Sequence, residues 1–280
     1  MINQSDNLVP LRGGGEPATV FLHPASGLST AFRRLLPHLP GTGAVYAYES
    51  LEPGGPELCS INALAEHYWA QLRGEGHEQL VLVGWSFGGP VAVAMASLAE
   101  AEGHTVLGTV AIDSGTPELL SSRDESLLGK LAGLFELDPS SFPDHESTRT
   151  VDTALAAITA RLRVDRGMDT LEVDDLRPFV DTYFWHLDAA REGWDAKCPQ
   201  APFLLMRGRD EHGWKDSPED LGWSAVLGTP PATVWLPGTH YSLMSADNVP
   251  SLAGALAPLI DPRGEAGPPT DEPSSKGESA

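Results

Sequence analysis

Between residues 18 and 113 the chain alternates short apolar runs with stretches of helical periodicity, and this alternation restricts the fold more than any other feature. "ATVFLHP" carries β-branched and aromatic residues closed by a proline, the pattern of a buried strand. "STAFRRLLPHL" follows as a short helix with Ser29 or Thr30 as its cap, and "GAVYAYE" is the next strand. "SINALAEHYWAQLR" places apolar residues at 61, 64, 65, 68, 69 and 72, which is helical spacing, with Ser60 positioned to cap it. "QLVLVG" reads as a strand, "GPVAVAMASLAEAEG" as a helix and "TVLGTVAID" as a strand. Strands that alternate with helices pair in parallel and carry their helices on both faces of one sheet.

The alternation stops after Asp113. Residues from about 115 to 198 hold no convincing strand, and two helices are expected there: "ALAAITARLRV" and "DDLRPFVDTYFWHLDAAREGW". The second repeats apolar residues at 176, 179, 180, 183, 184 and 187, with Asp174 or Asp175 as cap and Pro178 accommodated in the first turn. This span reads as a helical insertion over the sheet. Strands resume at "APFLLMRG" and "ATVWLPG", and "NVPSLAGALAPLI" is expected to close the fold as a helix. The reading is therefore one α/β domain over residues 18–262, with a flexible lead-in over 1–17. Residues 263–280 are rich in Pro, Gly, Ser and charge and are expected to be a disordered tail.

Composition narrows the partners. The 280 residues carry a formal net charge of −21, which repels phosphate backbones and anionic lipids. No nucleic acid and no membrane partner is expected. Neither a secretory signal nor a long uninterrupted apolar segment is visible, so the expectation is a cytoplasmic, soluble protein and a monomer. Cys59 and Cys198 are too few for a disulfide framework and lack metal-ligand spacing, so both read as structural and no metal is expected.

The junction between "QLVLVG" and its following helix carries chemistry. Gly84-Trp85-Ser86-Phe87-Gly88 matches G-x-S-x-G, with a strand before it and a helix after it, the context of a nucleophile elbow. The flanking glycines let strand and helix approach closely around a strained turn. Ser86 would then stand above the carboxyl end of the sheet. The Phe87 N–H would point from the helix N-terminus toward a developing oxyanion. The competing reading is a Gly-rich turn with an incidental serine.

A serine hydroxyl needs a base, and the base needs an orienting acid. In an elbow fold of this type the chain order is Ser, then Asp or Glu, then His. His186 falls on the second insertion helix and His212 in a polar loop. His240 follows the last expected strand in "VWLPGTHYSLM", where a loop can return an imidazole over the strand ends, and it is the chosen base. Asp113 and Asp210 both end strands, and spacing alone leaves the acid open between them. The second oxyanion donor is expected in "LHPASG", where Pro24 has no N–H and Ala25 is the first residue beyond it that can donate. His23 precedes Ser86 in the wrong order for a base and reads as a loop-packing residue.

Taken in order, "VFLHPASG", "GWSFGG", "AIDSGTP", "DLGWSAV" and "GTHYSLM" resemble the thioesterase domains that end nonribosomal peptide synthetases, with polyketide synthase and freestanding thioesterases as close relatives. The likeness spans about residues 8–260, with the insertion matched least. It implies an α/β-hydrolase fold: a mostly parallel central sheet, helices on both faces and a helical lid over about 115–198. It also places the acid at Asp113, at the end of the strand after the nucleophile helix, and the oxyanion donors at Phe87 and Ala25. The implied chemistry is release of a peptidyl or acyl chain from the phosphopantetheine thioester of a carrier protein, through an acyl-serine, by hydrolysis or macrocyclisation. No cofactor of the enzyme's own is implied. An editing thioesterase or a small-molecule esterase on the same fold is the alternative. Tyr183, Phe184 and Trp185 are expected either to line the acyl pocket or to pack the lid on the body.

Overall fold

The computed structural model describes residues 7–50, 52–122, 126–135, 137, 142, 150–192, 194–195, 197–210, 214 and 217–262. The first half runs β1 (Leu8–Arg12), β2 (Gly15–Leu22), α1 (Thr30–Arg33), β3 (Gly43–Tyr48), α2 (Ile61–Leu72), β4 (Gln79–Trp85), α3 (Gly88–Ala101) and β5 (Thr105–Ile112). Among the described residues four helices follow: α4 (Pro117–Ser122), α5 (Leu127–Leu134), α6 (Val151–Arg166) and α7 (Val173–Arg191). The chain then forms β6 (Phe203–Gly208), α8 (Trp223–Leu227), β7 (Ala232–Leu236) and α9 (Val249–Ile260).

The seven strands among the described residues form one sheet in the order β1-β3-β2-β4-β5-β6-β7. All pairings are parallel except β1 with β3. The apolar runs of the central strands follow from burial on both faces. In β2 and β4, Val20, Leu22, Leu80 and Leu82 pack against α2 and α3, while Phe21, Val81 and Val83 pack on the opposite side with α1 and α9. The period-2 alternation of the strand sends successive residues into different cores. This is the α/β-hydrolase fold expected from the sequence, with the four helices between β5 and β6 as its helical insertion. The insertion has an apolar core of its own, built from Leu128, Leu131, Leu155, Ile158, Leu162, Leu176 and Val180.

Four local expectations are corrected. Residues 8–12, read as part of a flexible lead-in, form the antiparallel edge strand β1, with Leu8 opposite Tyr48 and Pro10 opposite Tyr46. Alternation over five residues is a weak signal, and Pro10 obscured it; on an edge strand a proline can be tolerated. Strand β2 starts at Gly15, ahead of the expected Ala18. Helix α7 starts at Val173, so Asp175 sits at its third position, where its carboxylate accepts the Glu172 N–H at 2.8 Å. Pro178 consequently lies inside the helix, beyond its first turn. Helices α4, α5 and α8 are short and had no periodic signature long enough to read. The expected tail and His212 lie outside the described residues, and among those residues no helix is long and apolar enough to cross a membrane.

Candidate active site

Strand β4 delivers Ser86 to the carboxyl edge of the sheet. Ser86 has φ of 54°, in the left-handed region where a Cβ is unfavourable, and α3 begins two residues later. The turn is this tight because the glycines around it have no side chain. A Cβ on Gly84 would overlap the Gly88 backbone, and one on Gly88 would overlap the Leu22 carbonyl. The serine backbone is tied to the neighbouring strand end on both sides. Its N–H donates to the Ile112 carbonyl at 3.0 Å, and its carbonyl accepts from Ser114 Oγ at 2.5 Å and from the Gly89 N–H at 3.1 Å. Trp223, from the "DLGWSAV" segment, donates its indole N–H to the Ser114 carbonyl at 2.6 Å. Asp220 holds that segment's turn by accepting the Gly222 and Ser224 N–H groups; the Ser224 side-chain hydrogen bond first, and then these amides, lower its carboxyl below the ordinary range against the opposing effect of burial.

Asp113 stands just past β5, itself at φ of 42° and fully buried. Its Oδ2 accepts His240 Nδ1–H at 2.8 Å and the Trp214 indole N–H at 2.9 Å. Its Oδ1 accepts the Gly208 N–H at 3.3 Å and lies 3.9 Å from Arg207 Nε. Arg207 is itself buried, lies over the Trp235 ring and donates to the Glu219 carbonyl. A carboxylate oxygen only accepts, so the proton of the His240–Asp113 bond belongs to Nδ1. That leaves Nε2 as the basic nitrogen of His240. Asp210, the other acid considered, is exposed and accepts the Gly238 N–H at 3.0 Å, closing the loop before His240.

His240 and Ser86 line one open pocket, together with Ala25, Phe87, Trp85 and Tyr241. Both aromatic residues of the elbow border the pocket and are largely buried. Trp85 tilts against the His240 ring at 5.8 Å, and Phe87 packs against the rings of His23 and His186. The Phe87 amide stands at the start of α3, where the first N–H groups of a helix have no intrahelical partner. The aromatic trio of α7 divides. Tyr183 lines the pocket, Phe184 packs into the insertion core and Trp185 packs on the body.

The loop carrying Ala25 rests on two histidines, and His23 is the loop-packing residue expected from the sequence. His23 Nδ1 bonds the Pro24 carbonyl at 2.8 Å, and the Gly27 N–H donates to that carbonyl at 2.9 Å. The Pro24 carbonyl and the Ala25 N–H belong to one peptide plane and point oppositely, so fixing the first aims the second. His23 Nε2 in turn accepts from the Tyr68 hydroxyl at 2.7 Å. Burial holds the His23 imidazole neutral, pushing its pKa down to about 4 against smaller opposing effects of the Pro24 bond and Glu49. Burial, and then the neighbouring His23, also push His186 of α7 well below the ordinary histidine range. Burial raises the Tyr68 phenol. No spacing rule would have found the bonds of His23 and His186 to this loop, because the acceptors are the Pro24 and Ala25 backbone carbonyls.

Cys59 and Cys198 are free thiols on the surface. No cluster of potential ligands suited to a metal ion occurs among the described residues.

The thioesterase domain family model matches residues 19–259, and the chain belongs to that family. Among curated relatives it is 23% identical over 270 residues to orsellinic acid synthase of Beauveria bassiana, covering 86% of this chain and 12% of that protein. It is 31% identical over 148 residues to a dimodular nonribosomal peptide synthase of Bacillus subtilis, covering 49% of this chain and 6% of that protein. The chain spans about a tenth of the length of the first curated relatives it matches. Among solved structures, a four-domain nonribosomal peptide synthetase matches with a TM-score of 0.72 and 24% identity, over 90% of this chain and 20% of that one. The Vlm2 thioesterase domain matches with a TM-score of 0.61 and 21% identity, over 89% of this chain and 95% of that one. These structural likenesses concern the fold.

Proposed function

We propose that this domain releases a peptidyl or acyl chain from the phosphopantetheine thioester of a carrier protein, with Ser86 as nucleophile, His240 as base and Asp113 as its orienting acid. The observation that carries this reading is the buried Asp113–His240 bond at 2.8 Å beside a serine held at φ 54° on the same pocket. His240 Nε2 takes the Ser86 proton as Oγ attacks the thioester carbonyl. The Phe87 and Ala25 N–H groups receive the developing oxyanion, where donors fixed in advance supply the most stabilisation. The C–S bond breaks, the thiol of the pantetheine arm leaves with the proton from His240, and an acyl-serine remains. Water then releases an acid, or an amine or hydroxyl of the chain itself releases a ring. The pocket walls supplied by the insertion, Leu134, Tyr183 and Leu187 among them, decide how the chain lies and whether water reaches the ester.

The test compares a pantetheine-linked peptidyl thioester with p-nitrophenyl esters of similar acyl length, with products read by mass spectrometry. Preference for the thioester and a mass adduct on Ser86 support the reading. Preference for the simple ester turns the assignment toward a small-molecule esterase. Folded protein that a fluorophosphonate fails to label at Ser86 overturns it.

A further inference from the structure

His186, on helix α7 of the insertion, bonds the loop that carries Ala25, yet it does not line the pocket. Its side chain is fully buried on α7. Nδ1 bonds the Ala25 carbonyl at 2.8 Å, across 161 residues of sequence. A carbonyl accepts only, so Nδ1 carries the proton. Nε2 is buried without a hydrogen-bond partner among the described residues. The ring lies 4.7 Å from the His23 ring and 4.8 Å from the Phe87 ring.

These contacts join at Ala25. His23 fixes the peptide plane before the Ala25 Cα through the Pro24 carbonyl, and His186 fixes the plane after it through the Ala25 carbonyl. With both planes held, the φ and ψ of Ala25 have little freedom, and the direction of its N–H is set. His186 also packs on the ring of Phe87, whose amide is the other proposed donor. One side chain of the insertion thus touches both halves of the oxyanion site while remaining outside the pocket. An apolar ring there would fill the same space and spare the cost of burying an unpartnered Nε2. The donor at Nδ1 is what histidine adds.

We propose that His186 is a positioning residue through which α7 sets the oxyanion loop, so that the seating of the helical insertion and the competence of Ser86 chemistry are coupled. The proposal rests on the acyl-transfer reading above. When α7 is seated, the Ala25 N–H is aimed; when α7 moves away, the carbonyl loses its donor and the loop relaxes. An acyl chain that holds α7 in place therefore completes the site that reacts with it.

Two substitutions separate donor from bulk. Asn places its amide N–H near the position of Nδ1, whereas Gln places it near that of Nε2. His186→Asn is expected to keep kcat on a pantetheine-linked acyl thioester within a few-fold of the parent. His186→Gln and His186→Phe are expected to lower kcat by about 10- to 100-fold with KM changed little, the size of effect seen when a reacting group is misplaced by about 1 Å. Circular dichroism and thermal melts establish that each variant is folded. Should His186→Phe fail to fold, the Asn and Gln pair decides the matter alone. Equal kcat for Asn and Gln, or a loss confined to KM, overturns the proposal. A parent protein that never acylates Ser86 overturns this proposal together with the functional reading; an active parent with indifferent variants overturns this proposal alone.

Discussion

Ser86 and Asp113 both occupy the left-handed region of backbone space, at φ of 54° and 42°, where a residue with a Cβ costs about 1–3 kcal/mol. That strain lifts the serine off the sheet edge and turns the carboxylate toward His240. Relieving it should stabilise the fold and end the chemistry. Ser86→Gly is expected to raise stability by about 1 kcal/mol, or a few degrees in Tm, while abolishing the acyl adduct by mass spectrometry. An unchanged or lowered Tm would show that the turn carries no strain. The two aspartates give a second contrast. Asp113→Asn is expected to reduce kcat by about 10⁴-fold, because an amide NH2 cannot accept from Nδ1–H and favours the wrong tautomer. Asp210→Asn should stay within a few-fold of the parent, since its carboxylate only closes a turn at Gly238. Strong loss in the Asp210 variant with little in the Asp113 variant would reverse the assignment.

At the scale of elements, β1 is the instructive one. It covers the outer edge of β3, whose six residues are all buried. A protein beginning after Arg12 should therefore melt several degrees lower and expose an edge prone to pairing with other chains. An unchanged melt would show that β1 adds nothing to the sheet. The strand was misread because five residues containing a proline and followed by "GGG" resemble a linker when only the local pattern is available. Where periodicity extended further, the reading from residues was sound. Strands β2 to β5 announce themselves because burial on both faces demands apolar runs, and α2 because Ser60 accepts the Ala63 N–H at its start. The G-x-S-x-G elbow was legible because its glycines are dictated by steric overlap. The supports of Asp113 were not. Trp214, Arg207 and the Gly208 amide meet the carboxylate only once β6 and the segment after it have folded back beside β5. The pairing of His186 with Ala25 was equally hidden, since neither residue type signals the other.

For the molecule as a whole, two imidazoles are locked neutral in the interior between insertion and body. An unfolded histidine takes up a proton near pH 6.5. His23 folded resists protonation until about pH 4, and His186 also titrates well below its ordinary range. The unfolded state therefore binds more protons at these two residues below pH 6.5, and their contribution to stability must fall as pH drops through that window. Their contribution is fully present above it. Protonation of surface carboxylates relieves a net charge of −21 over part of the same range and acts in the opposite direction. A difference measurement isolates the histidine. The stability of the parent relative to His186→Asn, from urea melts between pH 7.5 and pH 5, is expected to decline by up to about 1.4 kcal/mol per pH unit once below pH 6.5. A constant difference would mean that His186 protonates freely in the folded protein.

The placement of the residues along the sheet also orders events in time. Ser86 and Asp113 belong to the unbroken unit β4-α3-β5, which leaves the ribosome before the insertion does, whereas His240 follows the insertion and β7. A growing chain can assemble its elbow and the proposed acid early, yet it lacks the proposed base until His240 has been made and the loop after β7 has docked. On the proposed roles, the nucleophile is thus built first and its base is supplied last.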